Sequence, residues 1–214
     1  YPGMARAAHA EHECLRELVF LPEPGDADAP GAHGSLGAAG GGEHTWAQLL
    51  ALADRVPPAR LDETLASLSP DDAINLQYTS GTTGFPKGAT LSHRNILNNG
   101  FHIGELLGYG PEDRVVLPVP FFHCFGMVIG NLSAFSHGAA TVLPGRAFKP
   151  AEALEAVQRH GGTSLYGVPT MFIAELALPG FADYDLSTLR TGVMAGSTCP
   201  VETMERVVSE MNMS

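Results

Sequence analysis

Thr79-Ser80-Gly81-Thr82-Thr83-Gly84-Phe85-Pro86-Lys87-Gly88 brings four hydroxyls, three glycines and one lysine into ten residues. It follows Ala73 to Thr79 (AINLQYT), a run whose apolar and β-favouring composition reads as a buried strand. Glycines let a backbone approach a ligand closely and turn its N–H groups inward. The Ser and Thr hydroxyls add donors, and Lys87 adds a full positive charge. Charge-assisted hydrogen bonds of this kind contribute about 1.5–3 kcal/mol each, so a handful suffices to hold a polyphosphate. The stretch is not the Gly-Lys-Ser/Thr loop that opens a helix, because Pro86 precedes Lys87 and Gly88 follows it. On residue types alone it reads either as a phosphate cradle or as a flexible Ser/Thr/Gly turn carrying an incidental lysine.

Strand and helix signals alternate beyond this loop. Ala89 to Leu91 reads as a short strand. Ser92 then caps a helix of about four turns with Ile96, Leu97, Ile103, Leu106 and Leu107 on its apolar face. Strands are expected at Arg114–Leu117, Ala140–Leu143, Leu165–Val168 and Leu189–Met194. Helices are expected at Phe125–Phe135, from Pro150 to Gly161 with Leu154 and Val157 inward, at Thr170–Leu178 and at Val201–Met211. Such alternation argues for an α/β fold, a parallel-rich sheet with flanking helices. In such sheets ligands bind beyond the carboxyl ends of strands. The loops after Thr79, Leu117 and Met194 are therefore the candidate site. The second of them, Pro118 to Gly126, contains His123 and Cys124. The third contains Ala195, Gly196 and Ser197. His123 reads either as a functional group or as a histidine satisfied at a helix start, and Cys124 as a packed side chain.

Composition narrows the function classes. The chain has 214 residues, enough for one domain or one and a fragment. Its 44% hydrophobic and 16% charged residues exclude a wholly disordered chain. The net charge of −11 and the lack of a basic stripe argue against nucleic acid as a partner. Lys87 and Lys149 are the only lysines, and Lys149 reads as a solvated residue at a helix start. Cys14, Cys124 and Cys199 are far apart, which gives neither a disulfide framework nor a metal site, and no metal ligands are assigned. No apolar run is long enough to span a membrane. The chain divides near residue 69. Residues 1–69 hold ten acids against four bases and a Gly-rich linker, 31–42, with six glycines. Helices are expected there at His12–Leu21 and His44–Arg55, the latter capped by Thr45, and His9, His12, His33 and His44 read as solvated. Residues 70–214 carry all three candidate loops.

TSGTTGFPKG resembles the phosphate-binding signature of the adenylate-forming enzymes, which include acyl-CoA synthetases, luciferases and peptide-synthetase adenylation domains. The resemblance runs from about Asp71 to Ser214 and includes INLQYTSGTTGFPKGATLSHRNILNN, FHCFG, LYGVPTMF and YDLSTLRTGVMAGS. Its wording is most similar to the mitochondrial medium-chain branch. The resemblance implies part of the N-terminal domain of that fold. It implies that Thr79, Ser80, Gly81, Thr82, Thr83, Gly84, Phe85, Pro86 and Lys87 hold the phosphates of ATP with Mg²⁺ shared between them. It implies a catalytic role for Lys87 and for His123, near the acyl carboxylate and its tunnel, with flanking aromatics walling the acyl chain. Ala195, Gly196 and Ser197 match the turn against adenine and the acyl group, although Thr198 stands where that family usually has proline. Lys149 does not inherit the family's catalytic lysine, which belongs to a small C-terminal domain. The implied partners are a fatty acid, ATP and CoA, and the implied location is the mitochondrion, without a transit-type segment in the residues given. The expected reaction is activation of a medium-chain acid to an acyl-adenylate and then to acyl-CoA. The chain is expected to be less than half of such an enzyme, inactive by itself, with an open sheet edge prone to aggregation. The reading of a different class is a non-catalytic nucleotide-binding or interaction module.

Overall fold

The computed structural model describes residues 2–11, 17–20, 42–79 and 84–214. The chain forms two compact units, Tyr1–Leu68 and Ser69–Ser214. In the first, α1 (Pro2–Glu11) is followed by β1 (Glu17–Phe20) and β2 (Gly42–Thr45), which pair in parallel with Glu17 opposite Gly42. The helix expected over His12–Leu21 is not formed at its C-terminal end. Leu18, Val19 and Phe20 take the strand conformation that β-branched and aromatic residues favour, and 12–16 lie outside the described residues. Residues 31–41 of the glycine-rich stretch also lie outside them, and Gly42 begins β2. Thr45 caps α2 (Trp46–Ala51) with a reciprocal box: Gln48 N–H donates to Thr45 Oγ1 (3.2 Å) and Thr45 N–H donates to Gln48 Oε1 (2.8 Å). A 3₁₀ turn (Ala53–Arg55) and α3 (Pro58–Ser67) complete the unit. His44 is not simply solvated, since its Nε2 lies 2.8 Å from Glu17 Oε2.

The second unit opens with β3 (Ala73–Thr79) and β4 (Lys87–Ser92), an antiparallel pair with Thr79 opposite Lys87 and a bulge between Ala73 and Asn75. Helix α4 (His93–Leu107) follows, capped by Ser92 through Asn95. Next come β5 (Arg114–Val116), a π-helical segment (Phe125–Leu132) that continues into α5 (Ser133–Ser136), and β6 (Ala140–Val142). Then follow α6 (Pro150–His160), β7 (Ser164–Gly167), α7 (Pro169–Leu176), a 3₁₀ turn (Phe181–Asp183), β8 (Thr191–Met194) and α8 (Val201–Glu210). Strands β6-β5-β7-β8 form a fully parallel sheet in that order.

Period-two alternation sorts the strand residues onto two faces. Val116 and Leu165 join Leu154, Val157, Phe172, Leu176 and Val207 beneath α6, α7 and α8. Val115, Leu117 and Tyr166 face the other way, toward Tyr109, Phe125 and Ala134 on the side of α4 and the π-helical segment. At the strand N-termini the two layers are locked by Asp113. Its carboxylate accepts from Arg190 Nε (3.0 Å) and Nη2 (2.7 Å), Thr163 Oγ1 (2.7 Å) and Gly110 N–H (2.9 Å).

Three expectations are corrected here. First, β3 is not a buried member of the parallel sheet. Among the described residues it pairs with β4 alone, and Ile74, Leu76 and Tyr78 are exposed on one face of the ladder. A hairpin loop of this length joins antiparallel neighbours, whereas a parallel partner needs a long crossover. Second, α4 buries Ile96, Gly100 and Gly104 while Leu97 and Leu106 are exposed. Ile96 and Leu107 do face inward, and the helix packs besides by close backbone approach, with Gly100 facing Leu132 and Gly104 facing His137. Third, the helix after Phe125 is π-wound over its first eight residues.

Candidate functional site

The ten-residue stretch is the loop of the β3–β4 hairpin. Thr79 and Lys87 are the paired strand ends, and both are exposed. Ser80, Gly81, Thr82 and Thr83 lie outside the described residues. Gly84 has φ +88°, and among the described residues none stands within 4 Å of where its side chain would be. A residue with a Cβ is strained there, so glycine suits the turn of the chain into β4. Phe85 is exposed, as is Pro86 beside Lys87. Among the described residues Lys87 makes no hydrogen bond or ion pair, whereas Lys149 is paired with Glu152 at 2.6 Å. Lys87 is thus the lysine whose charge is open to an anion.

The second segment is held by the fold's topology. In the order β6-β5-β7-β8, the chain leaves β5 toward β6 on one side and leaves β7 toward β8 on the other. The crevice of such a sheet opens where these directions diverge, beyond the carboxyl ends of β5 and β7. Residues Leu117 to Cys124 emerge there. His123 is exposed, and its Nδ1 accepts the Phe125 N–H at 3.0 Å, which caps the π-helical segment. That bond places the neutral ring's proton on Nε2. Nε2 has no partner among the described residues. The capping and functional readings of His123 are therefore compatible: one nitrogen fixes the ring and the other is presented outward. Gly126 permits the fold-back, since a Cβ there would stand 2.5 Å from Pro120 O.

Among the described residues one side-chain hydrogen bond joins the hairpin to this segment. Gln77 Nε2 of β3 donates to the Phe122 carbonyl at 3.1 Å, one residue before His123. Beside it lies a groove of about 490 Å³ lined by Leu91, Asn95, Ile96, Asn99, Cys124, Val128 and Ile129. The expected aromatic walls are not found there. Phe121 packs into the core, Phe122 is exposed, and Phe125 is buried 5.7 Å from Tyr166 between ring centroids. The groove walls are aliphatic, with two asparagines on one side.

The third segment closes the same end of the sheet. Ala195 N–H donates to Gly167 O (3.2 Å), and Ala195 packs in the core that holds Phe125 and Val168. Gly196 has φ +92° and faces Val168. Ser197 is exposed. The parallel sheet thus gathers the His123 and Ala195 segments, and the Gln77 bond attaches the hairpin to the first of them. Reading by residue type passed over Gln77, Asn95, Asn99 and Tyr166. The spacing of Asn95 and Asn99, one turn apart and flanking Ile96, was the available signal for a polar strip on an apolar helix face. Among the described residues no three His, Cys, Asp or Glu side chains gather as a metal-binding group, and no helix is long and apolar enough to cross a membrane.

Comparison with known proteins places this geometry. YngI of Bacillus subtilis is 52% identical over 172 residues, which are 80% of this chain and 31% of that protein. The bovine mitochondrial medium-chain acyl-CoA ligase ACSF2 is 48% identical over 158 residues, 72% of this chain and 26% of the relative. The acyl-CoA ligase SID4 of Ajellomyces capsulatus is 41% identical over 170 residues, 79% of this chain and 29% of the relative. The chain therefore spans about a quarter to a third of the length of these relatives. Among solved structures, the anthranilate CoA ligase AuaEII in complex with anthranoyl-AMP superposes with a TM-score of 0.62 at 29% identity, over 68% of this chain and 28% of that one. The o-succinylbenzoate coenzyme A synthetase of Bacillus subtilis, in complex with ATP and magnesium ion, gives 0.59 at 26% identity, over 68% and 30%. The architecture is the N-terminal-domain fold of the adenylate-forming, luciferase-like enzymes. The pattern of the AMP-binding enzymes matches residues 12–213, across both units, and the chain belongs to that family.

Proposed function

We propose that this chain supplies the phosphate- and carboxylate-handling part of an ATP-dependent fatty acid–CoA ligase. The observation that carries this reading is the Gln77–Phe122 bond, which ties the strand leading into the hydroxyl-, glycine- and lysine-bearing loop to the residue before His123, beside an aliphatic groove. The loop residues Thr79 to Lys87 bind the triphosphate, and Mg²⁺ enters with the nucleotide. The acid's alkyl chain lies in the groove, with its carboxylate toward His123. A carboxylate oxygen then attacks the α-phosphorus, the bond to the bridging oxygen breaks, and pyrophosphate departs. Lys87 and the loop's N–H groups face the charge that accumulates on phosphoryl oxygen. His123, fixed through Nδ1, orients the carboxylate from Nε2. Ala195, Gly196 and Ser197 receive the acyl-adenylate, whose carbonyl carbon is next attacked by the thiolate of CoA with release of AMP.

A medium-chain acid and a mitochondrial location are the finer parts of the proposal, supported by the printed names of the ACSF2 relatives. Since the chain spans a quarter to a third of those relatives, we also propose that these 214 residues by themselves do not turn over. The test is carboxylate-dependent exchange of labelled pyrophosphate into ATP by the full-length protein. Exchange is expected with medium-chain acids, and Lys87→Ala is expected to lower kcat/KM about a hundredfold. Folded protein that exchanges with no carboxylate refutes the reading. If ATP–Mg²⁺ still raised its melting temperature, a non-catalytic nucleotide-binding module would be favoured instead.

A further inference from the structure

Ile129 lines the groove, and its carbonyl is held in an unusual way. In an α-helix Ile129 O would accept the N–H of Ser133, four residues on. Here the Ser133 N–H donates to Val128 O and Gly130 O and passes over Ile129. Tyr166 OH takes the vacated acceptor at 3.0 Å, and Ser133 Oγ stands beside it, its one proton shared between Ile129 O at 2.5 Å and Gly130 O at 2.8 Å. Tyr166 is fully buried on β7, and behind it stands a chain of further donors. Tyr109 OH donates to Tyr166 OH (3.2 Å), so the 2.7 Å contact between Tyr109 and Ser164 has the Ser164 hydroxyl as its donor. Every member points the same way, toward the groove wall, and such chains polarise one another in a dry interior. Burial raises both phenols, so they remain protonated donors at physiological pH.

We propose that Tyr166 is a positioning residue for the acyl groove: its hydroxyl pins Ile129 O, keeps residues 125–132 in the π register, and so sets where Val128, Ile129 and Cys124 stand beside the bound acid. A return to the α register would rotate each of these residues about the helix axis and change the groove's shape. π turns inside helices recur at functional sites, and this one is fastened from the sheet beneath. The inference rests on the ligase reading above.

Tyr166→Phe removes the pin and keeps the ring against Phe125. In the full-length protein, followed by pyrophosphate exchange, it is expected to raise KM for the acid about tenfold and to leave KM for ATP unchanged, as loss of one buried hydrogen bond implies. The ratio of kcat/KM between short and long acids is expected to change. Ser133→Ala, which removes the second hydroxyl, is expected to shift the same parameters in the same direction. Amide hydrogen exchange over residues 128–134 is expected to quicken about tenfold in Tyr166→Phe, with protection elsewhere in the sheet retained. A lowered melting temperature with unchanged KM for the acid and an unchanged chain-length profile would show a merely structural residue and overturn the proposal. If the wild-type protein shows no carboxylate-dependent exchange, the ligase reading fails, and hydrogen exchange decides separately: unaltered protection over 128–134 overturns the pin.

Discussion

Glu175 is buried in α7 with 1% of its surface exposed, and among the described residues neither carboxylate oxygen has a hydrogen-bond partner. Arg206 of the neighbouring α8 does not serve it. That guanidinium is committed to Glu210 at 2.6 and 3.1 Å and reaches only the Leu176 carbonyl at 3.5 Å. Burial therefore pushes the Glu175 carboxyl up to about 8, from an ordinary value near 4.5. Below both values the group is neutral in the folded and unfolded chains. Between them the unfolded chain has lost the proton and the folded chain keeps it, so stability falls as pH rises. The slope is about 1.4 kcal/mol per pH unit, which integrates to about 3 kcal/mol by pH 7. Glu175→Gln is nearly isosteric with the neutral acid and does not titrate. The variant is expected to match wild type near pH 4 and to exceed it by about 3 kcal/mol at pH 7. Denaturant unfolding across pH 4–8 measures the difference, in which the other titrating groups cancel. The single tryptophan, Trp46, lies in the first unit, so tyrosine signals must report on the second, where Tyr109 and Tyr166 are buried. A difference that stays flat with pH would refute the reasoning and show that Glu175 ionises in the fold.

Three further outcomes are expected. Arg190→Ala leaves Asp113 with only the Thr163 and Gly110 donors and should cost about 1–3 kcal/mol by denaturant unfolding. Although burial alone would raise Asp113, the Arg190, Thr163 and Gly110 hydrogen bonds hold it below its ordinary value. Its contribution is therefore present above the unfolded-state value and lost as pH falls through the lower folded one, and the variant should show a shallower acid limb. Gly126→Ala places a Cβ 2.5 Å from Pro120 O and must displace the His123 segment. A loss of about 1–3 kcal/mol, with reduced pyrophosphate exchange, is the expected result. Asn99→Leu replaces an amide in the groove wall by a hydrocarbon, and should lower KM for straight-chain acids several-fold while raising it for acids bearing a polar group, measured by the same exchange assay.

Much of the parallel sheet was legible because the short apolar runs Val115–Leu117 and Leu165–Tyr166 and the Pro and Gly stops around α6 are local signals. The loop of hydroxyls, glycines and Lys87 stands out for a similar reason, since its residue types are contiguous, and the structure shows its ends, Thr79 and Lys87, as paired strand residues. Less visible was the partner of Ala73–Thr79. A run of apolar residues does not say which strand covers it, and here the short loop to Lys87 decided for an antiparallel neighbour. The apolar face of α4 misled because glycine carries no hydropathy signal, yet Gly100 and Gly104 make the contacts that Leu97 and Leu106 do not. The π winding after Phe125 depends on hydroxyls of Tyr166 and Ser133, one of them remote in sequence, and no helical period encodes it.

The parallel sheet also orders the chain's assembly in time. The β3–β4 hairpin closes on neighbouring residues, whereas Tyr109 must wait for Ser164, 55 residues later, before its hydroxyl has a partner. At roughly 5–20 residues per second of synthesis, that wait lasts on the order of three to ten seconds. Hairpins form in about 1–10 microseconds but are marginal without a covering layer. During translation the hairpin can close long before β7 emerges, whereas the buried Tyr109–Tyr166 layer of the parallel sheet sets only afterwards. Slowing the ribosome between residues 117 and 164 would lengthen the interval in which the nascent chain depends on chaperones.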